Sequence, residues 1–185
     1  MKLEIETAED FTDVNDFACG VDELDANKHL WKDYSDHHLA VFYFVRDCDK
    51  GTVVAVFALQ NDSIILDSND KEDMKVGYIS SPDILSDDFY DEFFSCRDYP
   101  ATELSLLVVD KRCQRNGVGQ IVVNAIFEML RANSLSGCVF VTVEAISTAN
   151  YSTLRFYQKL GFSNCVPVPR HGTLRMYAPL YPANL

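Results

Sequence analysis

The polarity of this chain changes period several times along its length, from strand-like to helix-like. Two apolar blocks rich in β-branched and aromatic residues, 39–47 and 52–60, enclose the turn CDKG and predict a hairpin of two buried strands. A third block, 102–110, is followed at 117–132 by apolar residues with the spacing of an amphipathic helix. The positions expected to face the core are Val118, Ile121, Val122, Ala125, Ile126, Met129 and Leu130.

Shorter elements are predicted at the N-terminal end of the chain. Residues 3–7 predict a first strand, and residues 19–34 predict a helix with Leu24, Lys28 and Trp31 on one face. The N-terminal third therefore combines one helix with three strands.

The C-terminal third alternates strand, helix and strand. Residues 138–146 predict a buried strand, and residues 147–162 predict a helix that Ser147 caps and Gly161 ends. Residues 173–180 predict the last strand. This alternation indicates an α/β (α+β) fold with a mixed sheet and crossover helices.

Length and composition favour one domain over residues 1–185. The regular rhythm breaks at about 62–100, which we interpret as an acid-rich insertion. Between Leu66 and Pro100 there are ten acidic residues against three basic ones, and a helix is predicted to start near Pro82. The insertion is either a solvated excursion or an acidic wall beside a site for a positively charged substrate.

A formal net charge of −12 narrows the range of partners. It disfavours nucleic acid and anionic membranes, and it favours partners that carry amines. The six cysteines form no C-x-x-C pair and no zinc spacing, so we expect free thiols in a reducing cytoplasm and no metal. The N-terminus is acidic where a signal peptide is apolar, and the longest apolar run is too short for a membrane span.

The sequence QRNGVG, residues 114–119, forms the corner between the third strand block and its helix. Glycines let a backbone approach a ligand, and a helix N-terminus presents unpaired N–H groups to an anion. Lys111, Arg112 and Arg115 add positive charge to an acidic chain. The corner lacks both the lysine of a P-loop and the third glycine of a dinucleotide fingerprint, so it indicates a pyrophosphate site of another kind.

Gln114, Gly117 and Gly119 fit the pattern Q/R-x-x-G-x-G/A and closely resemble the acetyl-CoA motif of the GNAT N-acetyltransferase superfamily. In that family a helix ending in Y-x-x-x-G-F follows one strand later, and FYQKLGF matches it here. The resemblance covers about residues 100–165. It implies a single GNAT-like domain with a mixed, mostly antiparallel sheet of six or seven strands, splayed central parallel strands and flanking helices.

The resemblance also implies which residues hold acetyl-CoA, the acetyl donor. Strand backbone would bind the pantetheine arm, corner N–H groups would hold the pyrophosphate, and Tyr157 would face the thioester sulfur. One departure is Thr153, where the family often has alanine. The implied cofactor-binding residues are Leu107, Val108, Val109, Gln114, Arg115, Asn116, Gly117, Val118, Gly119, Gln120, Asn150 and Tyr157.

The implied reaction is direct acetyl transfer to a primary amine of a small molecule or protein in a ternary complex. Tyr157 is the expected acid, because a phenol with a pKa of about 10 can donate to a forming thiolate whose pKa is about 8.5. Glu103 is the expected general base, at the offset before Gln114 that the base glutamate has in the histone-acetylating branch. A water relay is the alternative to Glu103.

Two other functions stay open. The sequence FACGVDEL loosely resembles the F-x-C-G-x-x-x-L start of GNAT toxins that acetylate aminoacyl-tRNA, although an acidic chain disfavours RNA. A non-catalytic acetyl-CoA sensor would keep the glycine corner and lose the chemistry of Tyr157. The oligomeric state is open, with a homodimer among the options, and the acceptor is not disclosed.

Overall fold

Strand pairing follows the predicted hairpin. Strands β2 (Val41–Asp47) and β3 (Thr52–Ile65) pair antiparallel, and β1 (Leu3–Thr7) pairs antiparallel with β2. Residues 53–59 of β3 are all buried, which explains their unbroken apolar character. The structure is a computed structural model that describes residues 2–71, 87–132, 136–165 and 171–180.

Seven strands form one sheet in the order β1-β2-β3-β4-β5-β7-β6. The further strands are β4 (Asp98–Val109), β5 (Phe140–Ile146), β6 (Ser163–Asn164) and β7 (Thr173–Pro179). Strand β7 pairs antiparallel with β5 and with β6. Neighbours β4 and β5 are joined through a helix, the connection that a parallel pair requires. The predicted mixed, mostly antiparallel sheet is therefore confirmed.

The chain divides into two compact units, Met1–Asn61 with Glu103–Met129 and Asp62–Thr102 with Leu130–Leu185. In the first unit, an aromatic cluster fills the core. Trp31 stacks on Phe42 with ring centroids 6.1 Å apart, and Phe11 meets Phe42 edge to face at 5.7 Å. Val108 of β4 belongs to the same core.

The second unit has a core of its own. Phe140 lies edge to face with Tyr99 at 5.6 Å and with Tyr177 at 5.7 Å. Ile64 and Ala101 pack in the same cluster. Each unit thus buries a separate aromatic group, which stabilises it through apolar burial and edge-to-face contacts.

The helix predicted at 19–34 is interrupted. It consists of α1 (Asp22–Ala26), a 3₁₀ turn at Asn27–His29 and α2 (Leu30–Asp36). The interruption occurs at Asn27, whose φ of −91° and ψ of 2° leave the helical region. Of the residues predicted to share one face, Trp31 is buried and Leu24 is partly buried against the first core.

The long amphipathic helix α4 spans Val118–Ala132, close to its predicted range. One predicted core position is wrong, since Ile121 is 51% exposed while Val123 is buried. Val122 and Ile126 continue the buried row that starts at Val118. Successive residues of an α-helix lie about 100° apart around its axis. Ile121 therefore lies to one side of the buried row, and on that side the helix is exposed to solvent.

The helix predicted at 147–162 is shorter than expected and Ser147 does not cap it. Helix α5 spans Leu154–Lys159, with Thr153 at its N-cap position. Ser147 instead forms an isolated bridge with Ser152, and its N–H donates to the carbonyl of Gly172 at 2.7 Å. The residues before α5 fold back on the end of β5, because these backbone bonds replace the first predicted turns of helix.

The insertion contains the predicted helix, α3 (Asp87–Ser95), and a helical turn at 68–71. Lys71 Nζ donates to the carbonyls of Phe94 at 3.2 Å and Cys96 at 2.6 Å, which satisfies acceptors at the end of α3. The predicted helix start at Pro82 lies outside the described residues. None of the described helices is both long and apolar enough to cross a membrane.

Candidate functional site

The corner between β4 and α4 is fixed at its start by Asp110. This carboxylate is buried and accepts hydrogen bonds from Arg112 through the backbone N–H at 2.8 Å, Nε at 2.8 Å and Nη2 at 2.7 Å. The Arg112 guanidinium holds the pKa of Asp110 below its usual range, even though burial opposes this. The backbone therefore leaves the strand in one defined direction.

Gln114 braces the corner from inside. Its amide nitrogen donates to the carbonyl of Val109 at 2.9 Å and to the carbonyl of Cys19 at 2.6 Å. The N–H of Lys111 donates to the carbonyl of Ala18 at 2.8 Å. The corner is thus bonded to the loop that precedes α1.

The backbone then reverses through two left-handed residues. Arg115 has a φ of 62° and Gly117 a φ of 79°. A Cβ added to Gly117 would meet nothing within 4 Å, so its backbone conformation, not local crowding, is what requires glycine.

The corner ends as an open helix N-terminus. The N–H of Ile121 donates to the carbonyl of Gly117 at 3.1 Å, which is the first bond of α4. The N–H groups of Val118, Gly119 and Gln120 precede that bond and have no partner inside the helix. Together with the exposed Arg115, they can hold a diphosphate. Gln114, Asn116 and Gln120 are also exposed, whereas Val118 and Val108 are buried.

Glu103 lies on β4, partly buried between Thr102 and the buried Leu104. Gln60, on strand β3, donates through Nε2 to Glu103 Oε2 at 2.6 Å. This amide fixes one carboxylate oxygen, and it orients the group predicted to accept a proton.

Tyr157 is the buried residue of α5. Its ring lies edge to face with Phe156 at 5.0 Å and with Phe162 at 5.4 Å. Burial, with a smaller contribution from Tyr151, raises the pKa of Tyr157, so the phenol keeps its proton at physiological pH. Among the described residues, none forms a hydrogen bond with its hydroxyl. The hydroxyl is therefore available to a ligand.

Asn150 lies in an exposed turn just before α5. Thr148 Oγ1 accepts from the N–H of Tyr151 at 3.1 Å and donates to its carbonyl at 2.9 Å, which closes this turn. The N–H of Thr153 donates to the carbonyl of Ile146 at 2.9 Å. The hydroxyl of Thr153, the departure from the family pattern, donates to the same carbonyl at 3.5 Å.

Sequence reasoning missed a polar cluster on the second unit. Arg175 Nη2 donates to Asp62 Oδ2 at 2.6 Å, and Arg175 Nη1 lies 3.7 Å from Glu144 Oε1. Thr142, almost fully buried, donates to Asp62. Arg175 stands opposite Glu144 in the strand register, a pairing that one strand read alone does not reveal.

A cleft of about 530 Å³ in the first unit lies between residues 9–15 and helices α1 and α2. Its walls carry both signs of charge, including Asp10, Asp25, Lys28 and Lys32. No described residue of the predicted cofactor set lines it. In the described part of the chain, no group of three or more His, Cys, Asp or Glu side chains is arranged to hold a metal ion.

Comparison with known proteins places this geometry in context. Residues 7–162 match the model of the family described as acetyltransferase (GNAT) family. No curated protein sequence matches the chain significantly.

Several solved structures share the fold. A tyrosine-to-phenylalanine mutant of KacT is 19% identical, with a TM-score of 0.68 over 97% of this chain and 96% of that chain. AtaT complexed with acetyl-methionyl-tRNAfMet is 17% identical, with a TM-score of 0.65 over 96% and 95%. The KacTA–DNA complex is 19% identical, with a TM-score of 0.61 over 97% and 94%. At these identities, the likeness shows a shared fold.

Proposed function

Because the chain belongs to the acetyltransferase (GNAT) family, we propose that it transfers the acetyl group of acetyl-CoA to a primary amine. Family membership over residues 7–162 confirms the predicted enzyme class and, with it, acetyl-CoA as the donor. The amine itself and the residues that act on it are the proposal. We treat residues 1–185 as one catalytic domain and propose a cytoplasmic location, which six free thiols favour.

We propose that the corner holds the pyrophosphate of acetyl-CoA. Backbone N–H groups from Gln114 to Gln120 supply the donors, and Arg115 adds charge. The backbone of Leu107, Val108 and Val109 carries the pantetheine arm, and Asn150 contacts it further along. The open N-terminus of α4 supports this assignment, because its first N–H groups have no partner in the helix.

The observation that carries the catalytic proposal is the phenol of Tyr157, which has a buried ring and no partner for its hydroxyl among the described residues. A phenol hydroxyl can donate one hydrogen bond, so a ligand atom that accepts it would be a suitable partner. We assign that atom as the thioester sulfur. The raised pKa of Tyr157 keeps the phenol neutral and able to donate.

The reaction follows from these groups. The neutral amine nitrogen attacks the thioester carbonyl carbon, and the N–H of Val109 polarises the carbonyl oxygen. The carbon–sulfur bond then breaks, and the sulfur leaves as a thiolate that accepts a hydrogen bond from Tyr157. Full proton transfer from the phenol is uphill, because a thiol with a pKa of about 8.5 is the stronger acid. As the amide forms, the attacking nitrogen releases its surplus proton to solvent, and solvent protonates the thiolate of free CoA; the other product is the N-acetylated amine.

We propose Glu103 as the group that removes the proton from the incoming ammonium. An amine with a pKa near ~10 is mostly protonated at neutral pH, so attack needs this step. The hydrogen bond from Gln60 supports the proposal, since it holds one carboxylate oxygen of Glu103 in place. A water relay is the competing route.

A second acceptor class is the amino group of aminoacyl-tRNA. It is favoured by the fold shared with AtaT complexed with acetyl-methionyl-tRNAfMet and by the match of FACGVDEL to the start of GNAT toxins. The expected absence of a nucleic-acid partner is not supported by these neighbours. The net charge of −12 opposes RNA binding, so we rank a small-molecule or protein amine first.

An acceptor screen with acetyl-CoA tests the proposal. The panel holds polyamines, amino acids, lysine peptides and aminoacyl-tRNA, and free thiol release is followed over time. We expect thiol release that depends on one acceptor class and an acetylated product of matching mass. Tight CoA binding without turnover of any acceptor would favour the non-catalytic sensor instead.

A further inference from the structure

The loop at residues 17–20 is bonded on both of its sides. On one side, the Lys111 N–H donates to the carbonyl of Ala18, and the Gln114 amide donates to the carbonyl of Cys19. On the other side lie α1 and the 3₁₀ turn that follows it, and each reaches the same loop through one charged side chain. The loop therefore connects the first helix with the glycine corner.

Asp25 of α1 makes the more specific of these contacts. Its Oδ1 accepts from the N–H of Cys19 at 2.8 Å, and its Oδ2 accepts from the N–H of Gly20 at 2.9 Å. Burial opposes the charge, but these bonds and the nearby Lys28 outweigh it and lower the pKa of Asp25. Lys28 Nζ, in the 3₁₀ turn after α1, donates to the carbonyl of Phe17, so Asp25 and Lys28 both hold the loop.

The Gln114 side chain has no donor left for a ligand. An amide nitrogen carries two N–H groups, and here they serve the carbonyls of Val109 and Cys19. The orientation of the amide is fixed by these partners, because a carbonyl can only accept. The remaining amide oxygen is itself an acceptor, which a phosphate does not bind.

We propose that Asp25 and the Gln114 side chain are positioning residues for the pyrophosphate of acetyl-CoA, acting through the loop at 17–20. Asp25 holds the loop, the loop holds Gln114, and Gln114 holds the exit of β4 that aims the corner N–H groups. The inference rests on the proposed function of the corner. It adds that Asp25 of the first helix, which lies 89 positions before Gln114 in the sequence, sets the affinity for the cofactor.

The test compares Asp25→Ala, Asp25→Asn and a matched control, Asp22→Ala. Asp22 is an exposed acid in the same helix, so its variant has the same charge change. Affinity for CoA is measured by calorimetry. We expect the dissociation constant to rise about tenfold in Asp25→Ala and about threefold in Asp25→Asn, which keeps one acceptor oxygen, and less than about twofold in Asp22→Ala.

A second readout separates positioning from general support of the fold. In ³¹P NMR spectra at saturating CoA, the two pyrophosphate resonances report on the corner, and the 3′-phosphate resonance is an internal reference. We expect the pyrophosphate resonances to move toward their free positions in the Asp25 variants only. If Asp25→Ala does not fold, Asp25→Asn and a Gln114→Met variant, which lacks both donors, carry the test.

The outcomes are distinct. Unchanged affinity and unchanged pyrophosphate resonances in the folded Asp25 variants would overturn the inference while leaving the proposed function intact. Equal losses in Asp22→Ala would overturn it as well, because charge alone would then explain them. A wild-type protein that gives no heat with CoA would refute the proposed function of the corner itself.

Discussion

The glycine corner and helix α5 contribute to the proposed chemistry in opposite ways. The corner offers several backbone N–H groups, which side chains such as Asp110 and Gln114 fix from behind. Helix α5 offers one hydroxyl, that of Tyr157, in an aromatic packing. Several backbone donors each contribute part of the binding energy, and a side-chain substitution removes none of them. A single hydroxyl contributes its whole interaction and is lost in one substitution. Losses should therefore be small and distributed at the corner, and large at Tyr157.

The largest effect is expected for Tyr157→Phe. The ring keeps its contacts with Phe156 and Phe162, while the hydrogen bond to the departing sulfur is lost. We expect kcat to fall by about 10²- to 10³-fold, the range for removal of one donor from a developing negative charge. The dissociation constant of CoA should stay within about twofold, because the corner is intact. Steady-state kinetics and calorimetry measure the two quantities.

Tyr151→Phe is the matched control, since Tyr151 is a tyrosine of the same segment that is 49% exposed. Its kcat should be unchanged.

The raised pKa of Tyr157 also predicts that no phenol titrates in the pH–rate profile between about pH 6 and 9, and the Tyr157→Phe profile should have the same shape. Full turnover by Tyr157→Phe would erase the contrast between the two regions.

A smaller loss is expected for Glu103→Gln. The amide keeps the shape of the side chain next to Gln60 but cannot take a proton. We expect kcat/KM to fall about 10- to 100-fold at neutral pH and to recover partly as pH rises and more amine is deprotonated. The control is Glu23→Gln, an exposed glutamate of α1. Wild-type rates in Glu103→Gln would favour a water relay.

Periodic patterns predicted most of the fold because they are local. The hairpin, helix α4 and strands β5 and β7 follow from spacing that a few residues define. The start of α5 could not be predicted in this way. Ser147 has the chemistry of a helix cap, but its N–H bonds to Gly172, a residue distant in sequence, and the chain folds back there.

In the candidate site, too, the local features could be predicted from the sequence and the long-range ones could not. Its glycine pattern and its tyrosine are short motifs, so a resemblance could locate them. The partners that fix them were invisible in sequence, because Cys19 lies far from Gln114 and Gln60 far from Glu103 along the chain. Pairings of this kind depend on which loops and strands become neighbours, and one sequence does not disclose that.

Gly117→Ala probes the backbone side of the comparison. An alanine meets no atom within 4 Å, so its cost is the left-handed φ of 79° alone. We expect a loss of about 1 kcal/mol in the free energy of unfolding, measured by urea denaturation. CoA affinity should fall by only about two- to fivefold, because the neighbouring donors stay in place. Gly137→Ala, a solvent-exposed glycine that is not left-handed, should change neither quantity.

The smallest effect is expected for Asp110→Asn, and its pH dependence identifies the cause. The pKa of Asp110 is lower in the folded chain than in the unfolded one, so the carboxylate stabilises the fold above the unfolded pKa of about 3.9 and loses this contribution as pH falls through the folded value. At pH 7 we expect Asp110→Asn to be less stable by about 0.5–1 kcal/mol, since Arg112 is largely exposed. In urea denaturation series, that difference should hold from pH 7 to 5 and shrink below about pH 4. A difference that stays constant down to the most acidic pH would assign the effect of Asp110 to packing, and the corner would then be held by shape instead of charge.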